Sequence, residues 1–170
     1  MWIQIRPKVR FIVRDRPSSR SQNHTGQSRN MAALNQLCYD GKLDEVRLVL
    51  ARRGDVNNKD NIGQTGLMRA AIKKHNSIMK LLLDQPGVKI NEKCDTDGHT
   101  ALHRAVAGSN PEGARMLLLH PDMNTANAIS KHGETALVKA VKERKNEVLR
   151  ELVTHGCISL DIGALEGNER

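Results

Sequence analysis

The amino-acid sequence predicts an all-α helical solenoid of about four helix-turn-helix repeats joined by hairpin-like loops. Three glycines spaced by 35 residues, Gly63, Gly98 and Gly133, open three similar phrases: Gly-Gln-Thr-Gly-Leu, Gly-His-Thr-Ala-Leu and Gly-Glu-Thr-Ala-Leu. A fixed period of about 20–50 residues is typical of stacked repeats. Aromatic residues make up only 2% of the chain, and its Leu, Ala, Val and Ile suit short, closely stacked helices. Because a solenoid presents an extended surface rather than an enclosed pocket, this fold favours binding over catalysis.

Three segments of different composition divide the chain. Residues 1–30 contain seven Arg or Lys and one acid, whereas the remaining residues carry twenty Arg or Lys and eighteen acids. Much of this basic tail is polar and buries too little surface to offset the entropy of ordering, so we expect residues 1–30 to be disordered. The array is predicted at 31–162 and a polar C-terminal tail at 163–170. The four repeats are predicted at 31–63, 64–98, 99–133 and 134–162.

Each repeat is predicted to contain an inner and an outer helix separated by a short turn. In the first repeat, apolar residues recur at helical spacing on both sides of the turn at Asp40-Gly41. In the third repeat, Asn110-Pro111-Glu112 combines a cap residue, a proline at the first helical position and an acid favoured by the helix dipole. The inner helices are expected near 33–39, 67–74, 102–107 and 137–143, and the outer helices near 43–52, 77–84, 111–120 and 146–155.

Four aligned columns of residues indicate how the repeats stack. One leucine column anchors the inner helices and another the outer helices, while an alanine column stays small where neighbouring helices approach closely. A threonine precedes each inner helix, where its hydroxyl can cap exposed backbone N–H groups. The columns are Leu67, Leu102 and Leu137; Leu82, Leu117 and Leu152; Ala70, Ala105 and Ala140; and Thr65, Thr100 and Thr135.

At these positions the sequence resembles the ankyrin repeat, whose signature includes Asp-x-x-Gly-x-Thr-Pro-Leu-His-x-Ala. The third repeat is the most similar, with Asp95-Thr-Asp-Gly98-His-Thr100-Ala-Leu102-His103-Arg-Ala105. The resemblance covers about 31–162. The chain departs from the signature in its period of 35, in lacking the proline after Thr, and in Ser130, which replaces the aspartate of the fourth loop. The resemblance implies a stack of helix pairs that binds a partner protein.

The resemblance also implies a partner-binding concave surface made from the loop tips and the exposed side of the inner helices. Carried over by position, the loop tips are Asn61, Ile62 and Gln64; Thr96, Asp97 and His99; and Lys131, His132 and Glu134. On the inner helices, Arg69, Arg104 and Lys139 recur at 35-residue spacing, with Lys73 and Lys142 nearby. Together these residues are called the concave surface below.

The basic column of Arg69, Arg104 and Lys139 has two interpretations. It can receive an acidic segment of a partner protein, since arginine offers paired hydrogen bonds to carboxylates. It can also be a solvated helix face whose charges are balanced locally by Asp97 or Glu143. The sequence leaves both interpretations open.

The histidines and cysteines suggest structural roles. From the resemblance, His103 is expected to brace its loop by hydrogen bonds. His99 and His132 lie at neighbouring loop tips but in different columns, so no metal site is predicted. The three cysteines are far apart and lack metal-binding or disulfide spacing, which favours free thiols. The sequence contains no nucleophile elbow and no phosphate-binding glycine loop, so neither an enzyme nor a cofactor is expected.

The basic tail has three interpretations: an unstructured extension, a weak polyanion contact, or an organelle-targeting segment. The polyanion contact would use Arg6, Lys8, Arg10, Arg14 and Arg16. The main prediction is a monomeric, non-catalytic protein-interaction module; the alternative is an adaptor tethered through residues 1–30 to nucleic acid or an anionic membrane. No apolar run approaches about 18 residues, so no membrane span is predicted. The protein is expected in the cytoplasm, with the nucleus as the alternative.

Overall fold

The computed structural model describes residues 34–124 and 126–155, and within these ranges eight α-helices form four consecutive pairs. Helix α1 occupies 34–40. The other helices are α2 Leu43–Ala51, α3 Gly66–Lys73, α4 Asn76–Leu83, α5 Ala101–Ala107, α6 Pro111–Leu118, α7 Ala136–Lys142 and α8 Asn146–Thr154. Every predicted helix is present, and the helix ends that lie within the described residues differ from the predicted ones by at most two residues. The disordered tail predicted at 1–30, the residues 31–33, and everything after 155 lie outside the described residues.

The pairs stack in chain order, so that inner helices pack on inner helices and outer helices on outer helices. Helix α5 lies between α3 and α7, and α6 lies between α4 and α8. The inner helices α3, α5 and α7 also pack against the outer helices of their own repeats, α4, α6 and α8. This arrangement confirms the predicted all-α repeat solenoid.

The aligned columns form the core between the layers. The three alanines Ala70, Ala105 and Ala140 are fully buried, and the two leucine columns are between 0% and 8% exposed. Burying a leucine side chain stabilises a fold by about 1.5–3 kcal/mol, so these columns supply much of the stacking energy. Since each layer covers the apolar face of the next, the array depends on contacts between repeats more than within them.

The threonine column caps the inner helices as predicted. The hydroxyl of Thr65 accepts a hydrogen bond from the backbone N–H of Met68 at 3.3 Å, and that of Thr135 accepts one from Val138 at 3.2 Å. At the outer helix α6, the side chain of Asn110 accepts a hydrogen bond from the N–H of Gly113 at 2.8 Å. These caps satisfy N–H groups that have no partner within the helix.

The loop of the third repeat is one residue longer than its neighbours. A backbone hydrogen bond closes each loop, from the N–H of Asp60, Cys94 and Ser130 to the carbonyls of Gln64, His99 and Glu134, respectively. The closed span is therefore four residues in the second and fourth repeats but five in the third. Counting back from Gly98, the sequence puts Asp95 in the aspartate position of the signature, whereas the structure puts Cys94 there.

Lysine side chains link successive loops across the stack. The ammonium of Lys59 donates a hydrogen bond to the carbonyl oxygen of Lys93 at 2.9 Å, and Lys93 donates to Ile129 at 2.9 Å. Lys131 donates in the opposite direction, to the carbonyl of Asp95. Each of these ammonium groups thus donates a hydrogen bond to a backbone carbonyl oxygen in an adjacent loop.

Candidate partner-binding surface

The basic column on the inner helices is paired with carboxylates of the chain itself. The Nε of Arg69 donates to Asp60 at 2.9 Å, and Nη2 of Arg104 donates to Asp97 at 2.7 Å. The ammonium of Lys139 lies 2.7 Å from a carboxylate oxygen of Glu143, one helical turn further along α7. Asp97 and Glu143 are the residues that the local-balance interpretation named, whereas the pairing of Asp60 with Arg69 was not anticipated.

Asp60 and Asp97 are held ionised by their surroundings. Burial opposes ionisation of Asp60, but hydrogen bonds from Arg69 and from the backbone N–H groups of Gln64 and Ile62 outweigh it, so its pKa is lowered. Burial likewise opposes ionisation of Asp97, and the N–H of His99 together with the charge of Arg104 lowers its pKa. Each carboxylate therefore orders both its loop and the cation on the following inner helix.

The predicted loop-tip residues divide into three groups. Five of them are exposed, and these are Asn61, Ile62, Thr96, Lys131 and His132. Asp97 and Glu134 are half-buried, and Glu134 pairs with Lys142 at 2.6 Å. Gln64 and His99 are buried, at 8% and 7% exposure, which differs from their predicted place at the tips. Each directly follows the turn glycine, where the closing hydrogen bond returns the chain to the core; Glu134 holds the same position, but its carboxylate reaches out to the exposed Lys142.

Helix α1 contributes a residue to this surface that sequence reasoning missed. The ammonium of Lys73 lies 4.3 Å from the ring centroid of Tyr39, and the guanidinium carbon of Arg69 lies 5.4 Å from it. Both are within the range in which a cation is attracted to an aromatic face. The only signal in the sequence was that Tyr39 is the sole tyrosine, placed at the end of an inner helix.

His103 braces two repeats, which confirms its predicted role. Its Nδ1 accepts a hydrogen bond from the backbone N–H of Thr100 at 3.3 Å, and Nε2 lies 3.0 Å from the carbonyl oxygen of Glu134 in the next repeat. A carbonyl only accepts, so Nε2 carries the proton and Nδ1 must be bare. Burial is the main cause that lowers the pKa of His103 to about 4, which keeps this neutral form at neutral pH.

No metal-binding or reactive group is evident on this surface. Within residues 34–124 and 126–155, no cluster of three or more His, Cys, Asp or Glu is placed to hold a metal ion. The ring centroids of His99 and His132 are 6.2 Å apart, so the two histidines do converge from two successive loops. Cys38 and Cys94 are free and buried, and burial raises the pKa of Cys38 to about 12. None of the described helices is long and apolar enough to cross a membrane.

The stacked helix pairs, the threonines that cap the inner helices and the loop-closing hydrogen bonds define a helical repeat protein. Three overlapping stretches of the chain, residues 9–94, 31–127 and 87–164, match the family model described as ankyrin repeats (3 copies). The chain therefore belongs to the ankyrin-repeat family. The first match begins inside the segment assigned above to the basic tail.

A relative in Rickettsia bellii (strain RML369-C) carries the name ankyrin repeat protein. It is 41% identical over 58 residues, which are 34% of this chain and 60% of the relative. The matched region thus spans about three fifths of that relative's length.

Proposed function

We propose that this chain is a non-catalytic module that binds a segment of a partner protein along the concave surface. Ankyrin repeats in general are protein-interaction modules and scaffolds without catalytic activity. The observation that supports this role most directly is the column of three cations, each held by a carboxylate of the chain itself. Such side chains are already ordered before a partner arrives, so binding loses less conformational entropy.

The charge of the concave surface shapes the kind of partner that it suits. The pairing of Arg69, Arg104 and Lys139 with acids removes most of their long-range attraction for a polyanion. Partner recognition by this surface therefore depends on short-range contacts, made with exposed tips such as Ile62, Thr96 and His132. An acidic residue of the partner protein is favoured at a point where a hydrogen-bond donor of this surface has no acceptor within the chain. It is not favoured along the whole basic column.

The test is partner capture with full-length baits that differ only in exposed side chains. The tip variant carries Ile62→Arg, Thr96→Arg and His132→Arg. Its matched control carries Leu48→Arg, Ser77→Arg and Asn146→Arg, which add the same charge at exposed positions on the outer helices. Partners identified by mass spectrometry should be lost from the tip variant and kept by the control. Equal capture by both variants would contradict binding through the concave surface.

A second candidate function is tethering through the basic tail, favoured by the concentration of seven Arg or Lys and one acid in residues 1–30. A third bait, with Arg6, Lys8, Arg10, Arg14 and Arg16 changed to Gln, separates this function from the first. Binding through the tail to nucleic acid or an anionic membrane should weaken steeply with added salt and disappear in this bait. Light scattering of the unmodified chain checks the accompanying proposal that it acts as a monomer.

A further inference from the structure

Unsatisfied hydrogen-bonding atoms are concentrated at one point of the concave surface. In the described part of the chain, four buried side-chain polar atoms have no hydrogen-bond partner: Asn35 Oδ1, Arg104 Nε and both ring nitrogens of His99. Three of the four belong to two side chains that face the same carboxylate, Asp97. Since buried polar groups are nearly always paired, this concentration indicates a place where a ligand group completes the site once a small side-chain movement gives it access.

The ring of His99 is held firmly although its nitrogens are unsatisfied. It stacks on His103 with centroids 5.1 Å apart and planes 10° apart, and its side chain is only 9% exposed. Its Nδ1 lies 3.1 Å from Asp97 Oδ2 but is not aligned to donate a hydrogen bond to that oxygen. Asp97 Oδ2 accepts a hydrogen bond from Arg104. The exposed ring of His132 lies on the next loop, with its centroid 6.2 Å from that of His99.

The chemistry of this point favours a negatively charged acceptor. Arg104 Nε can only donate, and a protonated imidazole donates from both nitrogens. The charged groups that face His99 are Asp97 from its own loop, Arg104 from α5, Lys139 from α7 and His132 from the next loop, with neutral His103 beneath it. Burial is the main cause that lowers the pKa of His99, and the three basic neighbours lower it further against the single acid. Because Arg104 and Lys139 are each paired with an acid, an incoming carboxylate acts mainly by accepting the unsatisfied donors and by favouring the protonated form of His99.

We propose that His99, Arg104 and His132 form a subsite that binds the carboxylate of one Asp or Glu side chain in the partner segment. This inference rests on the proposed function. It predicts that the partner segment needs one acidic side chain rather than an acidic stretch along the whole basic column. Because the bound carboxylate favours the protonated form of His99, whose pKa is lowered in the free chain, a proton is taken up on binding and affinity rises as the pH falls.

The experiment starts from a random peptide library displayed on phage and selected against the full-length chain at about pH 6. The selected peptides should share an Asp or Glu at one position. Synthetic versions with an amidated C-terminus leave only side chains as the source of the carboxylate, and their affinities are measured by fluorescence anisotropy. Replacing the shared acid by its amide should weaken binding to the unmodified chain about tenfold and to His99→Phe less than about twofold.

Several controls separate the subsite from general effects. His99→Phe keeps the ring that stacks on His103, and circular dichroism checks that the variant folds. Lys80→Gln removes an exposed cation from the outer helix α4 and should leave affinity unchanged. Calorimetry of the unmodified chain in two buffers of different ionisation enthalpy detects proton uptake without any variant.

Three results would overturn the inference. Selected peptides without a shared acid, or equal losses in the unmodified chain and His99→Phe, would exclude the subsite and leave partner binding standing. Binding without proton uptake would also exclude it. Selected peptides that bind the triple tip variant as tightly as the unmodified chain would instead contradict the proposed function itself.

Discussion

Asp97 accepts a hydrogen bond from Arg104 at 2.7 Å, although it lies at a loop position that has no counterpart in the neighbouring repeats. In the second repeat, the equivalent arginine is bound by Asp60, the residue that closes its loop. Cys94 occupies that closing position in the third repeat, with its sulfur 3.4 Å from Arg104 Nη2. Cys94 has no carboxylate, so Asp97, in the longer loop, binds Arg104 instead.

The first prediction concerns the ion pair between Asp97 and Arg104. Asp97→Asn should lower the free energy of unfolding by about 1–3 kcal/mol, because it leaves Arg104 half-buried without its charged partner. Adding Cys94→Asp should restore part of the loss, since the new carboxylate would lie beside the same guanidinium. Urea denaturation of both variants measures the effect. A double variant no more stable than Asp97→Asn would show that position 94 cannot replace the inserted acid.

The second prediction is a pH dependence of stability caused by His103. Its pKa falls from an ordinary 6.5 to about 4 on folding, so the unfolded chain protonates first as the pH falls. The free energy of unfolding is therefore highest above about pH 6.5. It falls progressively towards pH 4, by about 3 kcal/mol in all. The lowered pKa of His99 acts in the same direction below about pH 6.5, and those of Asp60 and Asp97 act only below their ordinary value of 3.8.

Variants at two histidines test this assignment by urea denaturation between about pH 7 and about pH 4.5. His103→Gln keeps a donor for Glu134 and an acceptor for Thr100 but does not titrate, so it should reduce the slope and leave the smaller part caused by His99. His132→Gln, at an exposed position, should leave the slope close to that of the unmodified chain. The assignment fails if His103→Gln retains the full slope.

The third prediction compares two glycines with the same backbone conformation and different surroundings. Gly63 and Gly133 have φ of +81° and +75°, and a methyl group at Gly133 would meet no atom within 4 Å. Gly133→Ala should therefore cost only the strain of the left-handed conformation, about 1–2 kcal/mol. At Gly63 the methyl group would also collide with the backbone of Asp95, so Gly63→Ala should cost about 3 kcal/mol or more. Thermal denaturation giving equal costs would contradict the close approach.

The fourth prediction concerns the lysine links between loops. Lys59 donates to the carbonyl of Lys93 and also pairs with Asp95 at 2.9 Å and Glu92 at 3.1 Å. Lys59→Met should lower the free energy of unfolding by about 0.5–1.5 kcal/mol, because a partly exposed network contributes modestly. Lys80→Met, an exposed change on α4, should have a negligible effect. If urea denaturation shows no difference between the two, the links are not stabilising in solution.

Much of the fold was readable from the sequence because its signals repeat and act locally. The leucine and alanine columns, the threonine caps and the positive φ of Gly63, Gly98 and Gly133 depend on residues close in the chain and on helical period. Three copies of each signal reinforced one another, and the structure places the predicted helices within one or two residues of their expected ends.

The candidate surface depended on relationships that no local pattern contains. Burial of His99 and Gln64 follows from how each loop closes, and the register of the third loop is set by the extra residue between Cys94 and His99. The convergence of His99 with His132 requires the spacing of two stacked loops.

By itself, then, the sequence determined an all-α array of stacked repeats, its core columns and its caps, since those depend on period and short-range hydrogen bonding. Tertiary structure alone decided which acid neutralises Arg69 and Arg104, and where donors remain unsatisfied. The physical reason is that ion pairs and orphaned polar atoms depend on distances of a few ångströms between residues brought together by loop closure and stacking.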